Sequence, residues 1–280
     1  MTHTNATNAP TDEVLLIQRD ESGVVTLTLN RPEVHNAFNP ALIDRLIDVF
    51  ETLHANPPRV VILTGLGHAF SAGADLGWMQ EMVEATEADN RADAKRLARL
   101  FRLLDEMPCP TIARVNGHAF GGGVGLIACC DLAIASEKAQ LGLTEVRLGL
   151  SPATIAPFVV AKIGTKHARR LMLTGERFDG AMGMRFGLIT DTTPIDQLDG
   201  HIDDLVQLLL AGSPSAQAHT KSIIRLVSQR LDNEQVDEQT ARLIAELRIS
   251  AEGQEGLRAF LEKRHPHWHP DLNHPKKDSQ

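Results

Sequence analysis

Two glycine-rich turns are the segments of this sequence whose residue types and spacing fit catalysis. The first reads Phe-Ser-Ala-Gly-Ala-Asp at 70–75, and the second reads Asn-Gly-His-Ala-Phe-Gly-Gly-Gly at 116–123. Three consecutive glycines before a predicted helix let a ligand approach the backbone closely and leave free N–H groups there. Such groups, aided by the helix dipole, stabilise a developing negative charge. Close helix packing and a flexible hinge are the structural alternatives for the same glycines.

Neither turn carries a nucleotide-binding pattern. The GxGxxG spacing fails from Gly65, where Phe70 replaces the third glycine, and from Gly121, where Leu126 replaces it. No GxxxxGK[ST] string occurs. The string Gly-Leu-Ser-Pro-Ala at 149–153 is not a nucleophile elbow, because its last residue is alanine and no partner triad is evident. Nucleotide binding and serine-hydrolase chemistry are therefore disfavoured.

Charge and composition limit the classes of binding partner that this chain fits. The net charge of −8 argues against nucleic acid and anionic membrane, and no apolar run approaches the ~20 residues of a membrane span. The polar segment 1–11 lacks the features of a signal peptide. Cys109, Cys129 and Cys130 show no zinc spacing and are expected to be reduced thiols, which favours a cytoplasmic protein or the mature form of an organellar one.

A cluster of histidines near the C-terminus is expected to be solvated rather than metal-binding. It lies in a proline-rich segment without a cysteine or carboxylate frame. Its members are His265, His267, His269 and His274. No metal site is predicted. His118, beside the second glycine turn, is expected to be packed rather than reactive.

Strands and helices alternate over most of the chain. Strands are predicted at 24–29, 60–63, 111–115 and 132–135, and helices after Asn39, at about 79–105 and at 123–129. This alternation favours an α/β fold with mostly parallel strands. Beyond about residue 195 only amphipathic helices are predicted, one of them capped by Ser213 and the last one preceded by Ser250. Such helices often bury their apolar face against a partner subunit.

Several ordered motifs resemble the crotonase (enoyl-CoA hydratase/isomerase) superfamily. They are the two glycine turns, the string Cys-Asp-Leu-Ala-Ile-Ala-Ser at 130–136, and Leu-Thr-Glu-Val-Arg-Leu-Gly at 143–149. The resemblance begins at 30–32, resumes at 173–175 and 260–264, and covers nearly all of the chain after residue 12. It implies a spiral of ββα units with a C-terminal helical region that supports trimers, often paired into hexamers. The expected divisions are a disordered leader (1–12), a spiral core (13–195), a helical trimerisation region (196–265) and a tail (266–280).

The resemblance also implies the site. Two backbone N–H groups, matched here to Ala72 and Gly122, would form an oxyanion hole for the carbonyl of an acyl-CoA thioester. Glu145 would be the acid/base, and no cofactor is expected because coenzyme A is part of the substrate. The residues expected to contact substrate or CoA are Ala72, Gly73, Ala74, Asp75, Gly122, Phe260 and Lys263, the last two across a trimer interface.

One departure bears on the reaction. Typical hydratases of the family carry a second glutamate two residues after the triple glycine, where this chain has Gly125. Asp131, nearby, is expected to be structural. The longer strings at 74–79, 121–131 and 144–153 resemble bacterial methylglutaconyl-CoA and related branched glutaconyl-CoA hydratases of leucine or terpene catabolism, which favours a hydratase. A Δ3-Δ2 enoyl-CoA isomerase using one glutamate and a non-catalytic CoA-binding protein are the alternatives. Met79 and Met82 fit either an acyl pocket or ordinary helix packing.

Overall fold

The computed structural model describes residues 13–228 and 232–270, which form two β-sheets surrounded by helices. The strands are β1 (Leu15–Arg19), β2 (Val24–Leu29), β3 (Val60–Gly65), β4 (Ala69–Ser71), β5 (Thr111–Val115), β6 (His118–Phe120), β7 (Leu132–Ser136), β8 (Gln140–Gly142), β9 (Arg177–Asp179) and β10 (Asp191–Thr193). The α-helices are α1 (Pro40–Ala55), α2 (Leu76–Glu84), α3 (Glu87–Asp105), α4 (Gly122–Cys129), α5 (Ala156–Thr174), α6 (Gly180–Phe186), α7 (Leu198–Leu210), α8 (Pro214–Val227), α9 (Asn233–Ile249) and α10 (Ala251–Leu261).

The chain winds between the two sheets. The larger sheet has the order β1-β2-β3-β5-β7-β10, with β1 and β2 antiparallel and the remaining pairs parallel. The smaller sheet has the order β4-β6-β8-β9, and only its β8–β9 pair is antiparallel. Consecutive strands therefore alternate between sheets: β3 then β4, β5 then β6, β7 then β8. Each pair is followed by helix, so the predicted α/β fold built from ββα units is confirmed.

The sequence signals for four of the six large-sheet strands (β2, β3, β5 and β7) and for several helix starts are confirmed. The β3 strand is buried throughout, as its unbroken apolar run predicts. Asn39 caps α1, its side-chain oxygen accepting a hydrogen bond from the Leu42 amide at 2.9 Å. Ser213 and Ser250 cap α8 and α10 in the same way. These caps satisfy amides that the helix itself leaves free.

The single helix predicted at about 79–105 is wrong, because two helices occupy the segment. α2 ends at Glu84, and α3 begins after Thr86. The Thr86 side chain accepts a hydrogen bond from the Asp89 amide, and Asp89 bonds back to the Thr86 amide, which is a capping box. This reciprocal pair starts a new helix in the middle of a polar stretch. The break leaves α2 as a separate short helix beside the first glycine turn.

The helices after residue 195 differ in how they pack. α7 lies on the large sheet, where Leu198, Ile202 and Val206 join a core cluster with strand residues such as Val60 and Ile112. By contrast, α8 and α9 contain no buried residue, and α10 contains only Ala259. Their exposed apolar side chains are Ile224, Val227, Ile244, Ile249, Leu257, Phe260 and Leu261.

Polar contacts attach α8 to the core. Lys221 Nζ lies 2.6 Å from Asp131 Oδ2 and donates to the Cys109 carbonyl at 3.0 Å. Asp131 also accepts from the amide and hydroxyl of Thr111. Asp131 is therefore structural, as expected. In the part of the chain that the structure describes, no helix is long and apolar enough to cross a membrane. The predicted leader (1–12) and residues 271–280 of the predicted tail, with His274, lie outside the described residues.

Candidate active site

Three loops meet at one edge of the small sheet. They follow β4, β6 and β8, three parallel neighbours whose carboxyl ends lie on the same side. The loop after β4 holds Ala72 to Asp75, the loop after β6 holds the triple glycine, and the loop after β8 holds Glu145. Parallel strands thus bring together segments far apart in sequence. The carboxyl edge of parallel strands is the usual place for a ligand in α/β folds.

The glycines of these loops are needed for close backbone contact. A Cβ on Gly73 would lie 3.0 Å from the Phe120 carbonyl oxygen, and one on Gly123 would lie 2.5 Å from that of Ser71. A Cβ on Gly122 would lie 2.4 Å from the Phe38 ring. The loop after β4 and the loop after β6 therefore contact each other directly. The close-packing interpretation of the glycine run therefore holds, and the close approach of a ligand stays a prediction.

One of the two predicted donors is wrong. The Ala72 amide donates a 2.9 Å hydrogen bond to the His35 carbonyl, so it is not free to bind a ligand. The Ala74 amide, two residues later, has no hydrogen-bond partner among the described residues. Gly122 is the first residue of α4, where an amide has no partner within the helix. The free amides that line the cavity are therefore those of Ala74 and Gly122.

Buried Asn36 holds the loop that turns Ala72 away. Its side-chain amide donates to the carbonyls of Leu66 and Ala69, and its side-chain oxygen accepts from the Arg31 amide. Both His35 and Asn36 have left-handed φ angles, of 54° and 56°. Asparagine tolerates this conformation better than most residues. Asn36 is a positioning residue that the sequence analysis missed, although its neighbours in the 30–32 motif were noted.

Glu145 begins a 3₁₀ helix, Glu145–Leu148, and its carboxyl group faces the glycine turn. A Cβ on Gly121 would lie 3.1 Å from Glu145 Oε1, so only glycine leaves room for the carboxyl group. Oε2 is buried and has no hydrogen-bond partner among the described residues. Burial raises the pKa of Glu145 above its ordinary value. A carboxyl group with a raised pKa and a free oxygen is suited to proton transfer near neutral pH.

The free amides and Glu145 share a cavity of about 200 Å³. Its wall is mainly apolar, including Phe38, Trp78, Met79, Met82, Leu97, Phe120, Leu148, Leu150 and Ile155. Its polar side chains are Glu145 and the hydroxyl residues Thr144, Ser151 and Thr154. Glu145 is the one ionisable group among the described lining residues. Met79 and Met82 both lie in the cavity wall, and their contact with an acyl group stays a prediction.

Typical hydratases of the family carry a second glutamate at the position of Gly125, and here apolar side chains fill the space beside that residue. Gly125 is buried in α4, and a Cβ there would lie 2.4 Å from Ile155 Cγ2 and 2.9 Å from the Phe101 ring. There is no gap at Gly125 for a substrate carboxylate or another polar group to fill, because Phe101 and Ile155 occupy the space.

Asp75 has a structural role at the entrance of this site. One of its oxygens accepts from the amides of Gly77 and Trp78 and so caps α2, and the other lies 3.0 Å from the Arg31 guanidinium. Partial burial acts to raise the pKa of Asp75, but the hydrogen bonds from Arg31 and the α2 amides outweigh it and lower the pKa below its ordinary value. Its place among the predicted CoA contacts stays a prediction.

The two C-terminal residues predicted to approach CoA do not line the cavity in this chain. Phe260 is 81% exposed on α10, and Lys263 follows that helix with a left-handed φ of 55°. Their contact with CoA across a subunit interface stays a prediction. Among residues 13–228 and 232–270, no group of three or more metal-ligand side chains could hold an ion. His267 lies 3.5 Å from Glu255, and the rings of His265 and His269 stack.

The remaining candidate side chains are structural. His118 Nδ1 accepts a hydrogen bond from the Gln140 amide at 3.0 Å and so links β6 to β8. The three cysteines are buried and unpaired by disulfides. Burial raises the pKa of Cys109 and of Cys130 to about 12, so these thiols are poor nucleophiles.

The sequence pattern of the Enoyl-CoA hydratase/isomerase family matches residues 19–271. The hydroxycinnamoyl-CoA hydratase-lyase of Pseudomonas fluorescens is 32% identical over 250 residues, which are 87% of this chain and 91% of that protein. The 2,3-dehydroadipyl-CoA hydratase of Escherichia coli K12 is 33% identical over 255 residues, which are 90% and 97% of the two chains. The crystal structure of an enoyl-CoA hydratase from Shewanella pealeana superposes with a TM-score of 0.88 at 41% identity, covering 91% of this chain and 96% of that one. Together with the fold and the arrangement of the three loops, these similarities show that the chain belongs to the crotonase, or enoyl-CoA hydratase/isomerase, family.

Proposed function

We propose that this protein is an enoyl-CoA hydratase that adds water to a 2,3-unsaturated acyl-CoA thioester. One observation carries the proposal: Glu145, one of whose carboxyl oxygens is buried without a hydrogen-bond partner among the described residues, lines the same cavity as Ala74 and Gly122, whose amides are free. Hydration needs both parts, because addition to the double bond passes through an enolate. The names of the relatives, several of which are hydratases of CoA thioesters, support the same reaction class.

In this mechanism the two amides hold the thioester oxygen and stabilise the negative charge that it gains. Each such donor typically lowers the barrier by ~2.7–4 kcal/mol. Ionised Glu145 takes a proton from water while the water oxygen bonds to C3, and the electrons of the double bond move onto the thioester. Protonated Glu145 then returns its proton to C2. One carboxyl group therefore serves in turn as base and acid, and the apolar lining excludes competing protons.

An isomerase is the second candidate, and the wall at Gly125 favours it. Migration of a double bond from C3 to C2 needs one group that removes a proton and returns it. Glu145 meets this requirement without a second carboxylate. Ile155, which lines the cavity, packs with Phe101 against Gly125, so this position supplies no second carboxylate to activate water. The two reactions share the amides and Glu145 and differ in whether water enters.

The acyl group that the sequence resemblance favours is of the methylglutaconyl type, as in leucine or terpene catabolism. The cavity of about 200 Å³ suits a short acyl group. A second carboxylate on the substrate would find no Lys, Arg or His side chain among the described lining residues, so it would rely on the hydroxyls of Thr144, Ser151 and Thr154 or on solvent at the mouth. The Escherichia coli relative named for 2,3-dehydroadipyl-CoA supports testing such substrates.

We also propose a trimer or hexamer as the working assembly. The apolar side chains exposed on α8, α9 and α10 support this, because a face of this kind is costly to leave in water. In a trimer, Phe260 and Lys263 of one subunit would lie near the CoA of its neighbour.

Replacement of Glu145 tests the function. We expect Glu145→Gln to lower kcat for hydration of crotonyl-CoA and 3-methylglutaconyl-CoA by about 10²- to 10⁴-fold, with acyl-CoA binding retained. Glu137→Gln, which changes an exposed carboxylate in the turn between β7 and β8, is the matched control and keeps wild-type activity. Turnover is followed by the loss of enoyl-thioester absorbance, and binding by calorimetry.

The outcomes separate the candidates. No hydration of either thioester, together with rapid 3-to-2 bond migration on a simple enoyl-CoA, makes the protein an isomerase. A weak rate that Glu145→Gln leaves unchanged, with tight acyl-CoA binding, identifies a non-catalytic CoA-binding protein.

A further inference from the structure

A second cavity lies behind the acyl site and shares part of its wall. The second cavity has a volume of about 320 Å³ and lies between α2 and the first turns of α3. Trp78 and Met82 are the two described residues that line both cavities. Both belong to α2, four positions apart, so they stand one above the other on the same face of the helix. They form a partition about one side chain thick.

The partition is fixed in place from the catalytic side. Trp78 is 7% exposed and is held among core residues. Asp75 caps the first turn of α2 and is the next residue after Ala74, whose amide faces the cavity. The short helix therefore carries the partition at a constant position relative to the proposed oxyanion hole. Leu76 and Val83 of the same helix are 78% and 81% exposed, so they lie outside the partition.

The two cavities differ in chemistry. The acyl site is lined mainly by hydrocarbon, whereas the second cavity includes Glu81, Asp89, Asp93, Asn90 and Arg96. Its single cation is already paired, because Arg96 lies 2.7 Å from Asp44 and 3.8 Å from Asp93. The second cavity therefore offers room to a longer chain but no charge for an anionic end group.

We propose that Trp78 and Met82 determine acyl-chain specificity by closing the acyl site after a short chain. This inference rests on the proposed function and adds the substrate class: short acyl groups that end against the Trp78 and Met82 side chains. The volume supports it, since about 200 Å³ is below the ~300–1,000 Å³ of clefts that enclose drug-sized ligands. Removal of either side chain joins the two cavities and admits longer chains.

The test compares chain-length profiles. For the wild type, kcat/KM is measured with trans-2-enoyl-CoA thioesters of the butenoyl, hexenoyl, octenoyl and decenoyl series. We expect the values to fall beyond hexenoyl. In Met82→Ala and Trp78→Ala, each added methylene group gains burial, which strengthens binding by up to roughly fourfold. We therefore expect the decenoyl-to-butenoyl ratio to rise at least about tenfold in both variants.

Val83→Ala is the matched control, because it truncates the neighbour of Met82 on the exposed side of α2 and leaves both cavities intact. Met82 is only partly buried, so Met82→Ala tests the inference even if Trp78→Ala does not fold. A wild type that turns over decenoyl-CoA as well as butenoyl-CoA overturns the inference. The inference is also overturned if Met82→Ala and Trp78→Ala show the same chain-length profile as the wild type and Val83→Ala.

Binding separates this inference from the proposed function. Dissociation constants for saturated butanoyl-, hexanoyl-, octanoyl- and decanoyl-CoA are measured with the same four proteins. If no thioester is turned over, the proposed function fails, and the binding series still decides the role of the partition. The partition is supported if affinity falls beyond a certain chain length in the wild type and in Val83→Ala, and if Met82→Ala removes this cut-off. Affinities that rise equally with length in all four proteins refute it.

Discussion

Gly125 offers a direct measure of how tightly Phe101 and Ile155 pack against α4. In Gly125→Ala, the new Cβ would lie 2.4 Å from Ile155 Cγ2, about 1.0 Å inside the 3.4 Å at which ordinary contact begins. The Phe101 ring, 2.9 Å away, blocks a shift in its direction. Overpacking of this kind costs ~1–3 kcal/mol. Alanine also gains up to ~1 kcal/mol over glycine in a helix interior, which partly masks the cost.

A glycine-to-alanine change at an unpacked helix position corrects for the gain in helix propensity. Gly200 lies in α7, and a Cβ there would meet nothing within 4 Å. We expect Gly200→Ala to leave the protein unchanged or up to ~1 kcal/mol more stable. The difference between the two variants then isolates the steric cost, which we expect to be ~1–3 kcal/mol. Urea unfolding at one fixed protein concentration measures it, because assembly makes the midpoint concentration-dependent.

Two further variants complete the test. Ile155→Ala removes the Cγ2 atom, so in the double variant with Gly125→Ala the two costs are expected to be less than additive. Gly125→Glu, which introduces the second glutamate of typical hydratases, buries an unpaired carboxylate as well as overlapping Ile155, and should destabilise by several kcal/mol without accelerating hydration. The reasoning is refuted if Gly125→Ala is as stable as Gly200→Ala. A well-folded Gly125→Glu that hydrates faster than the wild type refutes it too.

Three other variants probe the site. Gly121→Ala places a Cβ 3.1 Å from Glu145 Oε1 and should lower kcat/KM at least ~10²-fold. Gly149 is also at positive φ, but its Cβ would lie in open space, so Gly149→Ala should keep most activity. Equal losses for the two variants in steady-state assays would contradict this reasoning. Glu145→Gln should be more stable than the wild type at neutral pH. The folded state holds the Glu145 proton more tightly than the unfolded state, so wild-type stability falls as pH rises through the raised pKa, and thermal melts should show the difference vanish below the ordinary glutamate pKa. Asp75→Ala should lower the free energy of unfolding by ~0.5–2 kcal/mol, because α2 loses its cap. Since the pKa of Asp75 is lowered in the folded state, this loss should be present at neutral pH and disappear as pH falls through that pKa. A cost independent of pH would refute the role of the Asp75 charge.

The sequence determined the elements that have local signals. Apolar runs between breakers located β2, β3, β5 and β7 of the large sheet, and Asn39, Ser213 and Ser250 marked helix starts. Order and spacing of several motifs identified the family, and Glu145 was named by its motif. The strand and helix-start predictions succeeded because each depends on a few neighbouring residues: a side chain that caps its own helix, or a period that matches one face of a strand. The catalytic role of Glu145 stays a prediction.

Tertiary structure alone decided the rest. The small-sheet strands β4, β6, β8 and β9 have three residues each, too few for any periodic signal, and they exist because neighbouring strands supply their hydrogen bonds. The Ala72 amide is turned away by the His35 carbonyl, 37 positions earlier in the chain, so the turn sequence could not show that Ala74 carries the free amide. Likewise, the filled space at Gly125 depends on Phe101 and Ile155, which lie on either side of it in sequence and reach it only through packing. Local patterns encode elements, whereas the direction of an N–H group and the volume beside a glycine depend on contacts between distant segments.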